Sequence, residues 1–189
     1  EHWGGALQDV GVYCVNAARH VFGEEPVEAT ATKHQPEDDP RFAEVEASIA
    51  ATLRFPSGGI AQIIASFGAA AVDGYRVTGS EAEIELDPGY RFETATTMRL
   101  RKDGVVEETK FPQLDQFGGQ VTYFADCINS GTPPEADGEE GLCDMRVLLA
   151  IEESANTGRP VAISSPARPR HPVPDMVRER PVTGKRLLI

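Results

Sequence analysis

Apolar positions recur every three or four residues from about Ala6 to Phe22. Leu7, Val10, Cys14, Ala18 and Val21 make one stripe, which predicts an amphipathic helix with Asp9, Tyr13, Asn16 and His20 on the opposite face. Gly23 and Pro26 end it. Gly11 in mid-helix costs about 1 kcal/mol against alanine, which suggests that another backbone or a ligand comes close there. From Val27 the period falls to two. Ala47, Ile49, Ala51, Leu53 and Phe55 alternate with Ser48, Ala50, Thr52 and Arg54, and after Pro56-Ser57-Gly58-Gly59 the stretch Ile60 to Phe67 returns as a partner strand. Gly74 to Gly79 and Ala82 to Leu86 read as two short strands. Met98 to Arg101 and Val105 to Thr109 flank Lys102-Asp103-Gly104, a hairpin signal. Strands joined by such tight turns pair antiparallel, because parallel pairing needs long crossovers.

Helical spacing resumes at Phe117, Val121, Phe124, Ala125 and Ile128, stopped by Gly131 and Pro133. It continues at Leu142, Met145, Leu149, Glu152 and Ala155, stopped by Gly158 and Pro160. Pro160 to Ile163 offers an edge strand. Helix, strands, then helices predict an α+β domain over residues 1–163, a largely antiparallel open sheet with helices packed on one face. Residues 164–189, rich in proline and charge, read as an extended arm whose Arg168, Arg170, Arg178, Arg180, Lys185 and Arg186 are solvated or lie on a neighbouring subunit. Small residues (Ala50, Thr52, Ala61, Ser66) alternate with Ile49, Leu53 and Ile63, so the sheet's second face can pack on another copy, giving a homodimer or homotetramer.

Composition narrows the partners. A formal net charge of -12 argues against nucleic acid, whose affinity rests on excess Lys and Arg. No apolar run reaches 18 residues, so nothing here spans a membrane. Cys14, Cys127 and Cys143 fall within helical apolar patterns and read as small buried hydrophobes, which suits a reducing compartment such as the cytoplasm. The four histidines lack metal-ligand spacing, so no metal site is expected. No two glycines stand two apart, which rules out a G-x-G-x-x-G cradle for a dinucleotide. Gly138-Glu139-Glu140-Gly141 is too acidic for phosphate and reads as a helix N-terminus. The opening Glu1-His2-Trp3 runs almost directly into a helix, as if cut from within a longer protein; a signal region, and with it a periplasmic address, would lie outside this chain.

The candidate chemistry is Asp9 and Tyr13, four residues apart. Oxidising a hydroxyl to a carbonyl removes a hydride from carbon and a proton from oxygen; a positioned phenol can carry the proton, and a carboxylate beside it can fix the substrate's orientation. The same spacing also fits a purely structural pair, with Asp9 favouring the helix dipole and Tyr13 packed with its hydroxyl satisfied.

Four segments together bear a family likeness: GGALQDVGVYCVNAARHVFGEEPVEA, DPRFAEVEASIAATLRFPSGGIAQ, YRVTGSEAEIELDP, and DQFGGQVTYFADCINSGTPPEADGEEGLCDMRVLLAIEESANTGRPV. In this order they resemble the C-terminal domain of the glucose-fructose oxidoreductase / inositol dehydrogenase / rhizopine-catabolism family, nearest to its glucose-fructose oxidoreductase branch. The resemblance implies an NAD- or NADP-dependent oxidoreductase of a sugar or polyol. Its own nucleotide-binding domain and a Glu-Lys-Pro lysine would precede this chain, leaving the fragment alone inactive. It places Asp9 at the substrate-orienting aspartate and Tyr13 where many members carry a histidine. It makes Gln116, Phe117 and Trp3 substrate-shell residues, and Arg19 an ion-pairing helix arginine. The rival reading is a non-catalytic, sheet-mediated oligomerisation module.

Overall fold

A computed structural model of the protein describes residues 4–92, 94–166, 168 and 171–182. The chain divides into two compact units, Glu1–Ala69 with Pro134–Pro172 and Ala70–Pro133 with Val173–Ile189.

The first unit opens with the helix its apolar spacing predicts, but the start differs. Leu7–Gly11 is a π-helical turn that passes into α1, Val12–Phe22. The wider turn rotates the buried row. Leu7, Gly11, Val15 and Arg19 now face inward, every fourth residue, while Val10 and Val21 of the expected stripe are exposed. Gly23 closes α1 in the left-handed conformation (φ 61°), its N–H donating to the carbonyl oxygens of Arg19 and His20.

Four strands follow: β1 (Glu28–His34), β2 (Ser48–Arg54), β3 (Ile60–Ser66) and, late in the chain, β8 (Val161–Ala162). They form one antiparallel sheet in the order β3-β2-β1-β8. The register sets Ile49 against Ala65 and Ala51 against Ile63, and this face is buried. Val147, Leu148, Ala150 and Ile151 of α3 (Gly138–Thr157) join them, with Leu7 and Val15, in a single core. Phe22 stacks on Phe55 at 4.1 Å between ring centroids. The edge strand β8 pairs only with Glu28 and Ala29. Beyond its end, Ser154 of α3 replaces it: its Oγ accepts from the Ala31 N–H at 2.9 Å and donates to the Arg159 carbonyl at 2.7 Å.

The second unit is an antiparallel meander of β4 (Tyr75–Thr78), β5 (Glu83–Asp87), β6 (Thr96–Lys102) and β7 (Val105–Phe111), followed by α2 (Gln116–Ser130). Asp103 and Gly104 both take positive φ (51° and 77°), the geometry of the two-residue hairpin that the sequence signals. One face of the sheet is charged. Arg76, Glu85, Arg99 and Glu108 stand opposite one another on successive strands and pair at 2.8, 2.9 and 3.2 Å. The other face carries half-buried Tyr75, Val77, Ile84, Leu86, Met98 and Leu100. The α+β, antiparallel class is as the sequence predicts, with the strands shared between two four-stranded sheets. The segment between β3 and β4, with Gly68, Ala69, Ala70, Ala71 and Gly74, lacks the alternation that would continue a ladder.

Candidate functional site

The glycine pair at the head of the first helix has a steric cause. Gly4 holds φ 134°, which side-chain-bearing residues rarely adopt. A Cβ on Gly5 would overlap the carboxylate of Glu46, which lies across the start of the helix and accepts a hydrogen bond from the Leu7 N–H at 2.8 Å. The pair therefore makes room for a long-range cap. The anion at this N-terminus is a side chain of the protein itself. The other end of the π-turn is seated as the mid-helix glycine suggests: a Cβ on Gly11 would stand 3.4 Å from the Ala65 Cβ on β3. π-turns inside helices are frequent at functional sites, and this one carries Asp9.

Asp9 and Tyr13 are both on the surface of the first unit, Tyr13 with 58% of its area exposed. Neither lies in the hydrophobic interior. Gln8, beside Asp9, has a buried Oε1 without a hydrogen-bond partner among the described residues. One turn further on, Asn16 donates to Asp144 at 3.1 Å, and Arg19, only 4% exposed, is held by Glu25 (2.7 Å), Glu140 (2.7 Å) and Asp144 (2.6 Å). Burial opposes the Arg19 charge, but these hydrogen bonds outweigh it and hold its pKa above the ordinary arginine value. Burial also pushes the Asp144 carboxyl up, against the pull of Arg19. Arg19 is thus the ion-pairing residue expected, locking α1 to α3.

The second arginine of this cluster corrects the reading of the arm. Arg168 is neither solvated nor on another subunit. Its side chain is 5% exposed, donates to Asp137 and to the Glu135 carbonyl at 2.9 Å each, and pairs with Glu140 at 2.8 Å. A concentration of carboxylates around the start of α3 draws it in. Asp137 also caps that helix through the Glu139 and Glu140 N–H groups, so the Gly138–Gly141 stretch is a helix N-terminus, as its acidity implies.

Gln116 and Phe117 belong to the second unit, at the first turn of α2, which Asp115 caps through the Gly118 N–H at 2.9 Å. Both are exposed, and the Phe117 ring meets Phe92 edge-on at 5.2 Å. The apolar row Phe117, Val121, Phe124 and Ile128 is more than half exposed throughout. The buried side of α2 is Gly119 and Cys127, where the missing Cβ of Gly119 admits the carbonyl oxygen of Arg178. Trp3 lies outside the described residues. Of the cysteines, Cys127 and Cys143 are buried and Cys14 is partly so. Among the described residues, no three His, Cys, Asp or Glu side chains are grouped to hold a metal.

Sequence reasoning passed over Glu46 and Gln8. The one available signal for Glu46 was the glycine pair, which reports that something occupies the space beside it without saying what.

Comparison with known proteins is consistent with this geometry. Residues 1–163 match the family model described as "Oxidoreductase family, C-terminal alpha/beta domain". The chain is 32% identical to a D-xylose 1-dehydrogenase (NADP(+)) of Haloferax volcanii, over 85% of this chain and 48% of that protein. It is 30% identical to the D-xylose 1-dehydrogenase [NADP(+)] of Haloarcula marismortui, over 82% of this chain and 42% of that one. A crystal structure of aldose-aldose oxidoreductase from Caulobacter crescentus, complexed with glycerol, superposes with a TM-score of 0.79 and 38% identity, covering 85% of this chain and 48% of that one. The chain spans about half the length of the relatives it matches.

Proposed function

Because this chain belongs to the oxidoreductase family of glucose-fructose oxidoreductase, inositol dehydrogenase and the rhizopine-catabolism enzymes, as its C-terminal alpha/beta domain, we propose that it forms the substrate side of an NAD(P)-dependent sugar or polyol oxidoreductase. The observation that carries this reading is the exposed Asp9–Tyr13 pair at a π-turn, in a chain similar to NADP(+)-dependent D-xylose dehydrogenases. A nicotinamide supplies the hydride chemistry in such a reaction. The described helix starts do not fit the cofactor's phosphates, because carboxylates of Glu46, Asp115 and Asp137 fill them. Cofactor binding is therefore assigned to a separate nucleotide-binding half of the longer protein.

The work left to this chain is orientation and proton handling. Asp9 accepts a hydrogen bond from one substrate hydroxyl and fixes which carbon faces the nicotinamide. Tyr13 exchanges the proton of the reacting hydroxyl. A free phenol has a pKa near 10, so it needs a neighbouring cation to work near neutrality; a lysine of the nucleotide-binding half fills that place. By the family likeness alone, Gln116, Phe117 and Trp3 are further candidates for substrate contact. The longer protein should reduce NADP+ with D-xylose, while this chain alone should neither turn over nor hold NADPH at micromolar concentration. Micromolar NADPH binding by residues 1–189 alone would refute the division of labour.

The outer face of the first sheet supports an assembly role beside the catalytic one. Its row of Thr30, Thr32, Ala50, Thr52, Ile60, Gln62 and Ile64 is uncharged, with the Glu28–Arg54 ion pair at one end, and Ile64 is 78% exposed. We assign this face to a homodimer or homotetramer contact. A role as an oligomerisation module without catalysis would leave the exposed Asp9–Tyr13 pair without purpose. The described helices include none long and apolar enough to cross a membrane, and the buried cysteines Cys127 and Cys143 suit a reducing cytoplasm.

A further inference from the structure

We infer that Glu46 is a positioning residue for the Asp9–Tyr13 pair: its carboxylate, carried at the entrance to β2, anchors the start of the helix that presents both side chains. The inference rests on the proposed role of that pair, but its physical content is separable from it.

Three observations converge on Glu46. Its carboxylate is the acceptor for the Leu7 N–H, one of the donors that a helix start leaves without an intrahelical partner. The cap crosses 39 residues of sequence, so it ties the turn to a distant element and not to its own flank. That element is stiff. Ala47, next to Glu46, donates to the His34 carbonyl at 2.9 Å, and its own carbonyl accepts from the Phe67 N–H at 2.9 Å and the Ser66 hydroxyl at 3.3 Å. Glu46 thus enters β2 from a point fixed by both neighbouring strands. At the far end of the turn, Gly11 rests on Ala65 of β3. The π-turn is pinned at both ends by one sheet, and Asp9 lies between the pins.

A π-turn needs such support, because it is the rarer of the available helical registers. The start of the turn is not purely π-helical: the Asp9 N–H donates to the Gly5 carbonyl at 3.1 Å, the α-helical spacing. Without the cap the Leu7 N–H loses its acceptor and this first turn frays, so Asp9 is no longer held relative to Tyr13. Gly5 makes the inference testable from the opposite side. Alanine there would press its methyl into the carboxylate and expel it, so Gly5→Ala should imitate loss of Glu46 with Glu46 still present.

The test uses the protein carrying this chain, with Glu46→Ala, Glu46→Gln, Gly5→Ala and the Gly5→Ala/Glu46→Ala double variant. Amide hydrogen exchange at Leu7–Gly11 should speed up roughly tenfold in Glu46→Ala and Gly5→Ala, as expected for a lost cap. Amides of β2 and β3 should stay protected, and the double variant should be no worse than Glu46→Ala. Glu46→Gln, which keeps an acceptor, should restore protection. Backbone chemical shifts of Asp9 and Tyr13 should move in Glu46→Ala and return in Glu46→Gln. With D-xylose and NADP+, kcat should fall about tenfold to a hundredfold with KM little changed, and recover in Glu46→Gln. Wild-type exchange and shifts in Glu46→Ala would overturn the inference, and so would altered exchange with unaltered kcat. Absence of turnover in the wild-type protein would instead count against the proposed function, leaving the exchange and shift measurements to decide on Glu46.

Discussion

Ser154 joins three parts of the first unit through one hydroxyl. It is 1% exposed and sits on α3, holding the Ala31 N–H where β8 has run out and the Arg159 carbonyl that leads into β8. Replacing it by alanine leaves a buried donor and acceptor unmet, so Ser154→Ala should cost about 1–3 kcal/mol in denaturant unfolding. Arg19 is a larger case of the same logic. Arg19→Ala strands Glu25, Glu140 and Asp144 together with little water around them. Loss of one partner from a buried ion cluster costs about 3–5 kcal/mol, and an unfolding midpoint within error of wild type would show the cluster to be idle. That Arg19 pairs is what the family resemblance implies. Its partners were not legible, because Glu140 and Asp144 lie far along the chain and nothing local marks them.

Elements whose pattern is set by neighbours in sequence were readable; those set by distant groups were not. The hairpin at Asp103-Gly104 forms because both positions accept positive φ, and the strands around Pro56–Gly59 follow from alternation and turn chemistry alone. The π-turn stayed hidden because three-to-four spacing tolerates an extra residue, and the Glu46 carboxylate and Ala65 methyl that meet it lie far along the chain. Burial of Arg168 was equally invisible, as proline-rich composition says nothing of the carboxylates waiting at α3.

In the second sheet the charged face adds a pH dependence. Hydrogen bonds from Arg76, then Arg101 and Arg99, bring the Glu85 carboxyl from the usual 4.5 down to about 2. A lowered carboxylate pKa means that the unfolded chain binds protons first, so this contribution is complete above pH 4.5 and lost as pH falls toward 2. Glu85→Gln should flatten the acid limb of the thermal midpoint in that window. An unchanged limb would show that solvent screens the ladder completely.

At the scale of the whole molecule, the chain is the C-terminal alpha/beta domain of an oxidoreductase family and spans about half the length of the relatives it matches. Of the small residues expected on the sheet's second face, Ala50, Thr52 and Ser66 lie there, whereas Ala61 stands opposite Leu53 on the buried face. The sequence did not show that the strands would fall into two units, since hydrophobic alternation reports faces and not where a ladder stops. If the outer face of the first sheet joins copies, Ile64→Arg puts a charge into each contact and should shift the protein from oligomer to monomer in sedimentation, with its circular dichroism retained. An unshifted oligomer would move the interface elsewhere.

In the proposed reaction Asp9 orients the substrate and Tyr13 carries its proton. Single-turnover hydride transfer in the longer protein, with D-xylose and NADP+, tests these roles most directly in Asp9→Ala and Tyr13→Phe. Transfer should be slowed at least about a hundredfold in each variant, the loss expected when a general acid–base is removed, with folding and cofactor binding intact. Transfer at the wild-type rate in either variant would contradict them.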